Sequence, residues 1–330
     1  MRLPTHKRLM IFSGTANREL AEEIATELGM KLSEVEIETF ANSESYARFA
    51  DSVRGCDAFV VQSICDPVDH FIMQQLIMID ALKRASAKRI TAVCPLYPYS
   101  RQDRKARGRE PITAKLMADM YEAAGVDRVV SVHLHTGQIQ GFFDVPFDHL
   151  TAMPLLAQYF AKEIIDDEFV IVSPDAGGVH LADKWVQHIG EFHRMFGQVA
   201  FLHKRRRKDK RNVSETSAVV GEVEGKVCIV ADDMIDTAGT LCQGVEVLLE
   251  AGAREVYAAA THPLLSGPAV DRLKNSPLKQ LVVTNTLPLP SEKRFDKLVV
   301  LSIAPTVAQT IQAVFEEGSV SELFHGENQP

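Results

Sequence analysis

Short apolar runs rich in β-branched residues alternate with amphipathic stretches along nearly the whole chain, and this alternation constrains the fold most. In the first half the runs are Leu9–Ser13, Val35–Phe40, Ala58–Ser63, Ile90–Pro95 and Val129–Leu134. In the second half they are Val170–Ser173, Val199–Leu202, Val227–Ala231, Val256–Thr261, Leu281–Thr284 and Leu298–Ile303. Between them, Glu19–Leu28, Phe71–Arg84, Thr113–Ala124 and Leu241–Ala251 carry apolar residues at helical spacing. Strands joined by crossover helices pair in parallel and are covered on both faces, so they read as continuous apolar runs. The pattern predicts an α/β chain of two similar doubly wound parallel-sheet domains, with Ser43–Asp51 as a small flap hairpin. A length of 330 residues suits two domains. The alternation restarts after Pro146–Leu150, which divides the chain into 1–149 and 150–304, leaving a helix and tail at 305–330 to pack on the first domain.

Residues 227–240, Val-Cys-Ile-Val-Ala-Asp-Asp-Met-Ile-Asp-Thr-Ala-Gly-Thr, carry the most chemistry. A buried strand is expected to end at the paired acids Asp232 and Asp233. A turn of small and hydroxyl residues follows (Asp236, Thr237, Ala238, Gly239, Thr240), with a helix from near Leu241. Such a turn lets backbone N–H groups converge on a phosphate at the positive end of the helix. Two carboxylates beside it suit the vicinal hydroxyls of a sugar. A strand, an acidic turn and a helix cap would give the Asp-Asp-x-x-Asp part alone; the Thr-Ala-Gly-Thr that follows favours a ribose phosphate site.

Other segments fall at predicted strand ends, where open α/β sheets bind ligands. Tyr97–Pro111 carries five cations, Arg101, Arg104, Lys105, Arg107 and Arg109, suited to a polyphosphate or simply to a solvated loop. His133 and His135 are two apart and share a side in extended backbone, as a metal pair or as ordinary strand-end imidazoles. Ser173-Pro-Asp-Ala-Gly-Gly178 offers Asp175 to a magnesium ion, or to a helix as its cap. Lys204–Arg211, KRRRKDKR, reads as a mobile loop that closes over an anionic substrate and neutralises transferring phosphoryl oxygens. Phe40-Ala-Asn-Ser-Glu44 could hold a purine by stacking and hydrogen bonds, or be a plain turn.

A net charge of −8 excludes general nucleic-acid binding, which needs a broadly basic surface. No apolar run approaches the ~20 residues of a membrane span, and the start MRLPTHKRLMIF lacks a signal-peptide core. The five cysteines are scattered without a C-x-x-C pair, as in a cytoplasmic protein with reduced thiols.

Taken in order, these segments resemble the class I ribose-phosphate diphosphokinases (phosphoribosyl diphosphate synthetases). The likeness rests on Ser52–Gly55, Asp80–Ala87, Tyr99–Lys105, Gln138–Phe143, Ser173–Gly178, Lys204–Arg206 and Asp232–Thr240, and reaches from Phe12 to Phe324. It implies two domains of phosphoribosyltransferase type, ATP-binding and then ribose 5-phosphate-binding. It further implies transfer of the β,γ-diphosphoryl group of ATP to the anomeric hydroxyl of ribose 5-phosphate, giving phosphoribosyl diphosphate and AMP. Carried over by position, Phe40, Asn42, Ser43 and Glu44 bind adenine from a neighbouring subunit, and Arg101 and Gln102 hold ATP. His135 and Asp175 serve Mg2+. Lys204 is the catalytic lysine, with Arg206 beside it and also facing ribose 5-phosphate. Asp232 and Asp233 take the ribose hydroxyls, and Asp236, Thr237, Ala238, Gly239 and Thr240 the 5-phosphate. A homo-oligomer, a hexamer by resemblance, and regulation by ADP and phosphate are implied as well.

Two departures stand out: His133 occupies a position where the family usually has aspartate, and Leu181 one where it has arginine. They motivate an alternative, a non-catalytic regulatory paralogue. A phosphoribosyltransferase shares the cradle but explains neither the first domain nor Arg101–Asp103.

Overall fold

Leu-Met-Ile-Phe-Ser at 9–13 and Asp-Ala-Phe-Val-Val at 57–61 are buried along nearly their whole lengths, as central strands covered on both faces must be. The computed structural model describes residues 7–163, 168–193, 196–205 and 216–324. It divides into two compact units. One comprises Met1–Thr151, Thr286–Pro288 and Ser302–Pro330; the other comprises Ala152–Asn285 and Leu289–Leu301.

In the first unit the elements run β1 (Leu9–Ser13), α1 (Arg18–Glu27), β2 (Val35–Thr39), β3 (Ser45–Phe49), β4 (Asp57–Val61), α2 (Val68–Arg84), β5 (Arg89–Cys94), α3 (Thr113–Ala124), β6 (Arg128–Val132) and β7 (Phe147–Leu150). The sheet order is β1-β4-β5-β6-β7, all parallel. One face, with Phe12, Val60, Ala92 and Val129, packs on Ile72, Leu76 and Ile79 of α2 and Met117 and Tyr121 of α3. Helix α1 lies against β1 and against a helix from the C-terminal segment.

The second unit continues with α4 (Met153–Glu163), β8 (Glu168–Ser173), α5 (Val179–His193), β9 (Phe196–Arg205), β10 (Thr216–Val220), β11 (Val227–Ile235), α6 (Gly239–Glu250), β12 (Glu255–Pro263), α7 (Ala269–Asn275), β13 (Gln280–Thr284) and β14 (Leu298–Leu301). Helices α8 (Ala304–Glu316) and α9 (Val320–Leu323) belong to the first unit, and α8 is the helix against α1. The second sheet has the order β10-β9-β8-β11-β12-β13-β14, parallel except for the antiparallel β9–β10 pair. The chain leaves β8 towards β9 and returns to β11 on the other side of β8. That reversal makes the carboxyl ends of β8 and β11 a topological switch point, the usual ligand crevice of an open α/β sheet.

The α/β class and the parallel sheets are as the sequence predicts; several boundaries differ. Val35–Phe40 does not join the main sheet: β2 pairs antiparallel with β3 in a hairpin of its own, so the flap is larger than Ser43–Asp51. Glu36 and Glu38 point to solvent while Val35 and Ile37 face the core, the period-2 pattern of a half-buried ribbon. Phe147–Leu150, read as a boundary, is the edge strand β7. The run Val199–Leu202 extends to Phe196–Arg205, which places Lys204 and Arg205 on a strand instead of a loop.

Candidate active site

In the first unit the hairpin tip is a closed turn. Phe40 N–H donates to the Glu44 carbonyl at 2.8 Å, Ser43 N–H donates to the Phe40 carbonyl at 2.8 Å, and Glu44 N–H donates to Asn42 Oδ1 at 3.2 Å. Ser43 adopts a left-handed φ of 71° to make the turn. The tip presents Phe40 to solvent, 48% exposed, with the Tyr46 ring 6.0 Å away. Tyr46 carried no sequence signal of its own; the cross-strand register brings it beside the tip.

Past the end of β5, Arg101 and Gln102 lie on an exposed segment with Arg104, Lys105, Arg107 and Arg109. Gln102 is fixed at both ends: its N–H donates to the Tyr99 carbonyl at 2.9 Å, and its Oε1 accepts from Thr113 Oγ1 at 2.6 Å. Glu110 folds the basic loop by accepting from the N–H groups of Ala106 and Arg107 at 2.9 and 2.8 Å. On the next strand, His133 follows β6 with a left-handed φ of 45°, a conformation that histidine and aspartate tolerate better than most residues. It is buried, its N–H donates to the Leu150 carbonyl at 2.7 Å, and Leu134 N–H donates to His149 Nε2 at 2.8 Å. These bonds fix the backbone that carries His135.

In the second unit the switch point gathers the acids. Asp175 caps the short helical turn after β8, accepting from Gly177 and Gly178 N–H at 2.8 and 3.2 Å. A side chain on Gly178 would collide with Ser173 Oγ, which explains the small residue there. Strand β11 does not stop at Ala231: it continues through Asp232, paired with Ala260 of β12, to Ile235. Both acids therefore sit on a strand end, not in a turn. Burial, the Asp233 carboxylate beside it and the Asp175 carboxylate nearby hold the Asp232 carboxyl well above the usual carboxylate range.

Helix α6 starts at Gly239, two residues before Leu241, and no side chain caps its first turn. Ala238 before it is left-handed, with φ 57°. Uncapped first-turn amides at a helix N-terminus favour an anion. Thr237 and Thr240 are exposed beside them, and Asp236 is half-buried. Lys204 lies on β9, opposite Ser217 of β10. Arg206, with the rest of the basic run to Arg211, lies outside the described residues. Among the described residues no group of three or more His, Cys, Asp or Glu side chains is placed to hold a metal ion.

Two family models match the chain. One, the N-terminal domain of ribose phosphate pyrophosphokinase, covers residues 9–125; the other, the phosphoribosyl synthetase-associated domain, covers 196–325. A ribose-phosphate pyrophosphokinase of Mycobacterium leprae is 54% identical over 97% of both chains. One from Streptomyces coelicolor is 52% identical over 96% of both. The chain belongs to the ribose-phosphate pyrophosphokinase family. A crystal structure of phosphoribosylpyrophosphate synthetase from Mycobacterium smegmatis matches with a TM-score of 0.89 and 52% identity, over 94% of this chain and all of that one. Membership makes the chain a transferase of nucleotide biosynthesis. No described helix is long and apolar enough to cross a membrane.

Proposed function

We propose that the chain transfers the β,γ-diphosphoryl group of ATP to the anomeric hydroxyl of ribose 5-phosphate, giving phosphoribosyl diphosphate and AMP. The observation that carries this reading is the pairing, at one switch point, of an uncapped helix start with the Asp232–Asp233 strand end. The turn Asp236–Thr240 takes the 5-phosphate, and the two carboxylates accept hydrogen bonds from the ribose hydroxyls. That orients the anomeric hydroxyl before transfer, and orientation is much of what such a reaction needs.

Phe40 stacks on adenine, Asn42, Ser43 and Glu44 read its edge, and Arg101 and Gln102 hold the nucleotide. Lys204 and Arg206 neutralise charge that develops on the transferring group. The Asp232 carboxyl, raised by burial and by the charges of Asp233 and Asp175, is short of positive charge, which a magnesium ion completed by substrate phosphates and waters would supply. In this reading His135 and Asp175 each serve Mg2+ from their own unit, and the metal would supply Lewis-acid neutralisation of the phosphates. Few protein ligands are needed, because Mg2+ keeps waters and substrate phosphates in its shell. A cytoplasmic location and a homo-oligomer of hexameric size belong to the same reading.

Incubation with ATP, ribose 5-phosphate and Mg2+ is expected to release AMP and phosphoribosyl diphosphate in equal amounts. No AMP with any divalent ion would leave only the non-catalytic paralogue. Phe40→Ala should raise KM for ATP by about tenfold, from base–aromatic stacking of ~1–3 kcal/mol. KM for ribose 5-phosphate should move by less than about twofold, because the ring touches only the nucleotide. Steady-state kinetics with each substrate varied would expose an error, since an unchanged KM for ATP removes Phe40 from the base site.

A further inference from the structure

The residues that follow β12 grip the phosphate turn from behind. Leu265 N–H donates to the Ile235 carbonyl at 3.0 Å, Ser266 N–H to the Asp236 carbonyl at 2.9 Å, and Arg272 Nη1 to the Thr237 carbonyl at 2.9 Å. Successive carbonyls of the turn are thus each held by a donor from 265–272. The gripping segment is itself anchored. Leu265 is buried in the core of the unit, and Lys293 Nζ donates to the Leu264 carbonyl at 2.8 Å.

A trans peptide is planar, so each carbonyl and the N–H that follows it point in opposite directions. Holding the carbonyls of 235–237 on one side turns the N–H groups of Asp236, Thr237 and Ala238 to the other. Ala238 keeps a left-handed φ of 57°, which a non-glycine residue retains only where its surroundings impose it. The guanidinium also sits close behind the turn: a Cβ on Gly239 would lie 3.2 Å from Arg272 Nη1.

We infer that residues 264–272 form a bracket for the phosphate turn, and that Arg272 is the positioning residue that holds its amides towards the 5-phosphate of the sugar substrate. The inference rests on the reading of Asp236–Thr240 as the ribose 5-phosphate site. Arg272 reaches the substrate through the Thr237 carbonyl, and its charge adds to the potential at the turn. Arg272 belongs to the same unit as the phosphate turn, so its effect is expected on the sugar phosphate.

The test compares Arg272→Met, Arg272→Lys and the cradle variant Thr240→Val with the unmodified enzyme. KM for each substrate, kcat, the melting temperature and calorimetric binding of ribose 5-phosphate are measured. Arg272→Met is expected to weaken ribose 5-phosphate about tenfold, as expected for a lost hydrogen bond to a charged donor. KM for ATP should stay within about twofold, and Arg272→Lys should recover most of the loss, because an ammonium can donate to the same carbonyl. The bracket is overturned if Arg272→Met leaves ribose 5-phosphate affinity unchanged while Thr240→Val weakens it; the cradle then stands alone. It is equally overturned if Arg272→Met weakens both substrates alike along with the melting temperature. If Thr240→Val also leaves ribose 5-phosphate binding untouched, the cradle reading falls, and the bracket with it.

Discussion

Lys204→Ala is expected to lower kcat about a thousandfold, a size typical of a cation that stabilises phosphoryl-transfer charge. KM for ATP and for ribose 5-phosphate should change by no more than a few-fold, because the ammonium acts mainly where charge accumulates in the transition state. Lys204 begins the basic run Lys204–Arg211 and stands on β9, which pairs with β8, the strand whose end leads to Asp175. A strand fixes its backbone more firmly than a loop would, and a point charge gains most from being held where it is needed. Steady-state rates of AMP formation decide the matter, and a kcat within about threefold of the unmodified enzyme would take Lys204 out of the chemistry.

Asp232→Asn should move activity and stability in opposite directions. Loss of a charge-assisted hydrogen bond from a ribose hydroxyl is expected to cut kcat/KM for ribose 5-phosphate by roughly 10–100-fold. The ligand-free protein should nevertheless melt several degrees higher at pH 8, by a gain of about 1–3 kcal/mol. The cause is the crowding of Asp232 by burial, Asp233 and Asp175. The sign follows from linkage. The folded chain raises the Asp232 carboxyl above its unfolded value of about 3.9, so that contribution is complete below this pH and is lost as pH rises. An amide cannot ionise and escapes the loss. The two melting curves should coincide near pH 4 and separate towards neutrality. Equal melting temperatures across that range would show that the pair is not under strain.

The buried strands were legible because their neighbours impose one requirement on every residue. Leu9–Ser13 has the observed limits and Leu281–Thr284 gains only Gln280 at its start; each predicted run is apolar up to a closing hydroxyl residue. Val35–Thr39 misled because Glu36 and Glu38 interrupt the run; that alternation belongs to a ribbon with one wet face. Strand β11 outran its apolar run because the ladder to β12 pairs Asp232 with Ala260 and Met234 with His262 whatever their side chains. The edge strand β10 owes its existence to the antiparallel return of the chain, which no local pattern encodes.

The site divides along the same line. Thr237, Gly239 and Thr240 announce an anion turn, because small and hydroxyl residues are chosen for close approach. The grip on that turn is silent in the sequence, since the amides of Leu265 and Ser266 would donate from almost any residue. Tyr46 is silent for a related reason: its meaning comes from lying 6.0 Å from Phe40 across a hairpin, not from its position in the chain.

The hairpin has a consequence for how such an enzyme can change. Strands β2 and β3 form a ribbon separate from the main sheet, moored by Val35, Ile37, Ala47 and Phe49, with Phe49 edge-on to Phe12 at 4.6 Å. The residues at its tip lie beyond these moorings, so they can be exchanged as a cassette while every strand of the five-stranded sheet keeps its register. With the tip on adenine and the β11 end on the sugar, as proposed, taste for one nucleotide over another is the trait most open to drift, and tolerance of the sugar phosphate is among the last.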